Sequence, residues 1–169
     1  MVIRITLIIL IGLACWQLTG CGSLLSQRIG QPANAAAGEV SFKLAGANGA
    51  AILVPVQING QGPYNFVLDT GATFTCVDQK LADQLKLPAS HSLAGFGIGV
   101  RTTGEVNLIE ISSIKVGTAS ASDLPACTLD LKQMQAVGDD IKGLLGLNFL
   151  KSYKIAIDFD RKVLTLQKR

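Results

Sequence analysis

Tyr64-Asn65-Phe66-Val67-Leu68-Asp69-Thr70-Gly71-Ala72-Thr73-Phe74-Thr75-Cys76-Val77-Asp78 decides the reading of this 169-residue chain. An apolar strand, Phe66 to Leu68, runs into Asp69-Thr70-Gly71-Ala72, and a second, Phe74 to Val77, follows at once. The pattern predicts a carboxylate at a sharp turn between two buried strands. An unpaired buried charge is costly, so Asp69 needs hydrogen-bond donors, a cation or a shared proton. Gly71 allows a tight turn that brings its N–H towards the carboxylate. Thr70 and Thr73 add hydroxyls that donate without adding charge. An Asp-Thr-Gly tripeptide alone reads equally as an Asx turn, and its weight here comes from the apolar flanks.

With those flanks, the stretch resembles the active-site loop of aspartic peptidases, whose signature is two hydrophobic residues, Asp, Thr or Ser, Gly, and Ala or Ser. It occurs once, which points to the single-domain, retropepsin-like branch rather than to the two-lobed pepsins. Leu144-Leu145-Gly146 resembles the second signature of that family, which packs beneath the catalytic loop and leads into a short helix. The resemblance runs from about Val40 to Gln167. It implies an all-β, closed acid-protease barrel with one or two short helices. It also implies a catalytic loop of Asp69, Thr70 and Gly71, supported by Ala72, Thr73, Leu144, Leu145 and Gly146. Gly95-Phe96-Gly97-Ile98-Gly99 lies where the family carries its substrate-covering flap. These glycines do not form a dinucleotide loop, because the third comes one residue early and no βαβ unit surrounds them.

Hydrolysis in this style uses two carboxylates that share a proton, one acting as base and the other as acid. The chain offers one such Asp, so the resemblance implies a homodimer with Asp69 from each copy at a two-fold axis. In retropepsins the chain ends interleave at that axis, which would involve Glu39–Leu44 and Val163–Gln167. Asp78 reads instead as a helix cap, Asp158 and Asp160 as turn residues, and Asp139 and Asp140 as solvated. His91 is the only histidine, so zinc-peptidase spacing is absent, and a Ser-His-Asp or Cys76–His91 site lacks a matching setting. No metal or cofactor is expected. A second reading keeps the fold without catalysis, as a module that docks an extended peptide as an added strand.

The N-terminus sets the location. Met1 to Arg4 is weakly basic and Ile5 to Leu13 is apolar, short for a membrane span but suited to a signal sequence. Leu18-Thr19-Gly20-Cys21 resembles the bacterial lipoprotein box, which implies a signal peptide over 1–20, lipid on Cys21 and anchoring to the bilayer of a bacterial envelope. Gly22 in place of Asp then points to the outer membrane where the host has one. An ordinary cleaved signal or an uncleaved anchor fits the same apolar run. Residues 21–38 form the lipidated Cys and a polar tether, whose Gly22–Gly38 stretch has a coil span of roughly 20–25 Å. Residues 39–169 form the domain. After processing, Cys76 and Cys127 are the two unmodified cysteines of an exported chain, where a disulfide between them is possible and two free buried thiols are the alternative.

Removing residues 1–20 deletes Arg4 and no acid, so the formal charge of +3 falls to +2. With no basic run and 5% aromatic residues, nucleic acid is not an expected partner. Alternation predicts strands over Glu39–Leu44 and Ala51–Ile58, with Pro55 at an edge or bulge. A turn at Asn59–Pro63 and a helix from Asp78 to Leu87 follow. Glu105–Val116 and Asp123–Leu131 read as strands, Lys132–Lys142 as a surface excursion, and Tyr153–Phe159 with Val163–Gln167 as a closing hairpin.

Overall fold

Apolar runs on both sides of every turn build the wall of this domain. The computed structural model describes residues 38–89, 107–136 and 140–169. Ten strands are described: β1 Glu39–Ser41, β2 Lys43–Ala45, β3 Ala51–Ile58, β4 Gln61–Leu68, β5 Thr75–Asp78, β6 Leu108–Val116, β7 Ala119–Leu129, β8 Ile141–Leu145, β9 Tyr153–Asp158 and β10 Val163–Lys168. Two short helices, α1 Gln79–Gln84 and α2 Leu147–Leu150, accompany them. No helix among the described residues is long and apolar enough to cross a membrane.

One sheet runs β2-β3-β4-β8-β5-β7-β6, and an additional β3–β6 pairing closes six of its strands into a barrel. β4 pairs with β8, and β5 with β7, in parallel, while the other ladders are antiparallel. The expected all-β closed barrel with short helices is therefore what the chain forms. Inside it lie Val54, Val56, Ile58, Phe66, Val77, Ile111, Ile114 and Leu145, each essentially inaccessible. Outside, one register row crosses six strands: Leu53, Val67, Leu144, Cys76, Cys127 and Leu108 stand side by side. Ala45, Ala51, Phe74 and Met134 pack against this second layer. A wall covered on both faces needs apolar residues at consecutive positions, which explains why Phe66-Val67-Leu68 and Leu144-Leu145 do not alternate.

Several boundaries differ from the sequence reading. Glu39–Leu44 is two strands in different sheets, broken at Phe42, whose N–H donates to Lys162 O at 2.9 Å. The β3–β4 turn is only Asn59-Gly60, both at positive φ (50° and 76°), and Gly62-Pro63 lies within β4. On its other side β3 meets β2 through Leu53 and β6 through Gln57, so Pro55 falls in a gap where no ladder needs its missing N–H. β7 begins at Ala119 rather than Asp123, because Gly117 at φ 58° turns the chain in two residues. Asp78 precedes α1 but makes no side-chain cap. Its Oδ1 accepts from Leu131 N at 3.4 Å, at the 3-10 turn Leu131–Ala136.

The second sheet, β1-β10-β9, is a hairpin with one short added strand. Val40, Leu164 and Leu166 line its buried face. At one edge Arg161 donates to both Glu39 carboxylate oxygens, at 3.3 and 3.1 Å. That hydrogen bonding holds the Arg161 guanidinium above its ordinary pKa. β10 occupies the centre of this sheet, with β1 on one side and β9 on the other. Over Val163–Thr165 it is paired on both sides within one copy.

Candidate active site

Asp69 stands at the end of β4, where Leu68 pairs with Leu145 and the Asp69 N–H continues the ladder to Leu145 O at 3.1 Å. The chain then reverses through exposed Thr70 and Gly71 into buried Ala72. The carboxylate of Asp69 is half-buried. Its Oδ1 accepts two main-chain hydrogen bonds, from Gly71 N at 2.8 Å and Ala72 N at 3.1 Å. Among the described residues Oδ2 takes no such bond, so the main chain holds one carboxylate oxygen and not the other. A Cβ on Gly71 would stand 3.2 Å from Oδ1, so the close approach favours glycine there. The donors to the carboxylate are main-chain groups rather than Thr70 or Thr73 hydroxyls.

The support beneath the loop comes from the start of α2. Leu147 N donates to Ala72 O at 2.8 Å, and Asn148 N donates to Thr73 O at 3.1 Å. The Asn148 side chain continues the clamp: its Oδ1 accepts from Thr75 N at 2.8 Å and from the Thr75 hydroxyl at 2.9 Å. Its Nδ2 donates to Pro125 O at 2.6 Å on β7. A main-chain N–H on one side and a carbonyl on the other leave a single orientation for this amide. The Thr75 oxygen in turn accepts from Gly146 N at 3.1 Å. A Cβ on Gly146 would collide with the Phe74 carbonyl, so helix and loop meet backbone to backbone. Leu144 faces the outer apolar layer and Leu145 the barrel interior.

Thr75 and Asn148 were not singled out by the sequence reading. Each is a lone polar residue inside an apolar run, Thr75-Cys76-Val77 and Leu147-Asn148-Phe149-Leu150, and that isolation is the signal available in the sequence. Just past the loop, Cys76 and Cys127 are register partners on β5 and β7, with Cα atoms 4.4 Å apart, and are joined as a disulfide. Gly95, Phe96, Gly97, Ile98 and Gly99, together with His91, Cys21 and residues 1–37, lie outside the described residues.

A family model described as aspartyl protease matches residues 54–149, from the inside of β3 to α2. The chain belongs to the aspartyl protease family. The match spans both the Asp69 loop and the Leu144-Leu145-Gly146 segment that underlies it. A retropepsin-like aspartic protease from Rickettsia conorii superposes with a TM-score of 0.50 at 20% identity, over 76% of this chain and 90% of that one, a likeness of fold. The retroviral protease-like domain of Ddi1 from Leishmania major gives a TM-score of 0.46 at 17% identity, over 69% and 87% of the two chains. No curated protein gives a significant sequence match.

Proposed function

We propose that this family member is an aspartic endopeptidase that works as a homodimer, with Asp69 of each copy sharing one active site. The observation that carries the proposal is the Asp69 carboxylate itself, held through Oδ1 by two main-chain N–H groups at a strand end. Such a hold fixes orientation without adding a charge and leaves Oδ2 for a second carboxylate or a water. Two like charges side by side do not both ionise readily, so the pair keeps one proton that belongs to both. A water between them gives a proton to the ionised carboxylate as its oxygen attacks the scissile carbonyl carbon. The protonated carboxyl donates its proton to the carbonyl oxygen, forming a tetrahedral diol. Collapse of the diol returns a hydroxyl proton to the pair and delivers another to the leaving nitrogen, so the C–N bond breaks with atoms and charge balanced.

In this reading Thr70 and Gly71 shape the catalytic loop, and Ala72, Thr73, Leu144, Leu145 and Gly146 support it. Gly95 to Gly99 cover an extended peptide substrate. Lipid on Cys21, with residues 21–38 as tether, holds the domain of residues 39–169 at the surface of a bacterial envelope membrane. The test is hydrolysis of unfolded protein at mildly acidic pH by the full chain, with Asp69→Asn as control. Cleavage by the native chain and none by the variant is the expected result. Equal cleavage by both overturns the assignment.

A further inference from the structure

Positive charge is spread unevenly along this domain. Residues 39–150 hold seven Lys or Arg against ten Asp or Glu, whereas Lys151–Arg169 holds six against two, so the domain's positive excess lies wholly at the closing hairpin. Both acids of that stretch, Asp158 and Asp160, sit at the β9–β10 turn. There Asp158 Oδ1 accepts from Arg161 N at 2.9 Å, and the Arg161 guanidinium bridges to Glu39 at 3.1 Å. The other end of the hairpin carries no acid. Lys151, Lys154, Lys168 and Arg169 gather there, all exposed. None of the four makes an ion pair with another described residue, whereas Lys132 is answered by Asp130 and Lys142 by Asp140. A carboxylate on Arg169 would offset one of these charges and leave three.

The main chain fixes this grouping. Lys151 N closes the last turn of α2 on Leu147 O at 2.9 Å. Arg169 N donates to Ser152 O, and its Nε to Tyr153 O, each at 3.2 Å. Tyr153 pairs with Lys168, and Lys154 with Gln167. Successive residues of a strand face opposite sides, so Lys154 and Lys168 flank the hairpin on its two faces. Cations placed in this way ring the end of the hairpin and suit a flat anionic surface met end-on. The chain returns to the same end at Gly38, whose O accepts from Leu166 N at 3.0 Å, while Glu39 pairs antiparallel with Thr165. Traced back from Glu39, the main chain therefore heads the way β10 runs, and Gly38 lines one groove with Gln167 and Lys168. Cys21 lies 17 residues before it.

We infer that this end of the closing hairpin is a landing face for a bilayer with anionic headgroups, Lys151, Lys154, Lys168 and Arg169 meeting the lipid phosphates. The inference rests on the proposed lipid on Cys21 and adds a second, charge-specific contact made by the folded domain itself. Each Lys or Arg held near an anionic membrane strengthens binding by about fivefold. Screening confines that attraction to about 10 Å at 0.1 M salt, less than the tether's coil span of roughly 20–25 Å. The tether alone thus lets the domain stand off, yet keeps it near enough for docking to be an intramolecular step. Charge on the root of the tether then decides whether the domain lies on the bilayer or hangs from it.

The test reconstitutes the full chain, N-terminus intact, in phosphatidylcholine vesicles with and without phosphatidylglycerol. Amine labelling of each Lys is mapped by mass spectrometry. With phosphatidylglycerol, labelling of Lys151, Lys154 and Lys168 is expected to slow by at least about fivefold, while Lys80 and Lys142 change by less than about twofold. Salt at about 1 M shortens the screening length to about 3 Å and should remove the protection. Lys151→Gln with Lys168→Gln is expected to return Lys154 to its rate in uncharged vesicles. Lys80→Gln with Lys142→Gln removes the same net charge elsewhere and should leave Lys154 protected. Equal labelling of Lys154 in both kinds of vesicle, or equal loss of protection in the two double variants, overturns the landing face. Equal protection by short duplex DNA at matched phosphate overturns it too, in favour of a nucleic-acid surface. Flotation with uncharged vesicles judges the anchor separately, because it needs no charge. A chain that does not float sinks the lipid on Cys21, and protection of Lys154 by added phosphatidylglycerol vesicles then upholds the face alone.

Discussion

Asp69→Asn is a clean probe because the amide oxygen accepts the same two N–H groups from Gly71 and Ala72, so the loop keeps its shape. Hydrolysis should fall by about 10²–10⁴-fold while the urea midpoint stays put. A matching loss of stability would instead assign the residue a structural role. Asn148→Ala argues the reverse case. It leaves Thr75 N without its acceptor in a partly buried place, and Pro125 O without its donor at an exposed one where water can replace it. An unmet buried group costs about 1–3 kcal/mol, so urea unfolding should show a loss of at least that size, with activity falling alongside. The Asp was legible in the sequence because its flanks were apolar on both sides. The clamp was not, because Thr75 and Asn148 are 73 residues apart and only the closed barrel brings them together.

Among the elements, strands were easy to read from composition and hard to bound. Runs such as Phe66-Val67-Leu68 announce burial on two faces, yet a local pattern cannot say that Glu39–Leu44 divides between two sheets at Phe42. Nor could it free Asp78 from the role of helix cap, since its actual partner, Leu131 N, is 53 residues away. The β8–α2 junction gives a sharper test. Gly146→Ala drives a Cβ into the Phe74 carbonyl, and neither backbone is free to give way, because Leu147 and Asn148 are bonded to Ala72 and Thr73. Overpacking of this kind costs about 1–3 kcal/mol, and here it displaces the loop that holds Asp69. Lower stability together with lost activity is expected; an active and equally stable variant would contradict the backbone-to-backbone contact. The disulfide between β5 and β7 belongs to the same scale. It closes a separation of 51 residues, so in the chain-entropy description replacing both cysteines with Ser should cost up to about 4 kcal/mol in urea unfolding.

At the scale of the whole molecule, the single Asp69 makes oligomeric state and activity one question. The barrel is complete within one chain, as is the three-stranded sheet through β10, so under the shared-site proposal a second copy serves chemistry rather than folding. Activity should therefore rise faster than linearly with enzyme concentration while unfolding of dilute monomer stays cooperative. Mixing gives the decisive measurement. When native and Asp69→Asn chains exchange freely, a threefold excess of the variant leaves about one dimer in sixteen with both carboxylates, although one chain in four is native. Hydrolysis per native chain should then drop about fourfold relative to the unmixed enzyme, and further as the excess grows. The proposed lipid on Cys21 would hold both chains in one bilayer and raise their effective concentration, so on that proposal the superlinear range should move to lower enzyme levels in vesicles than in detergent. Activity that tracks the amount of native chain alone, in a mixture shown to exchange, would mean that each copy works by itself.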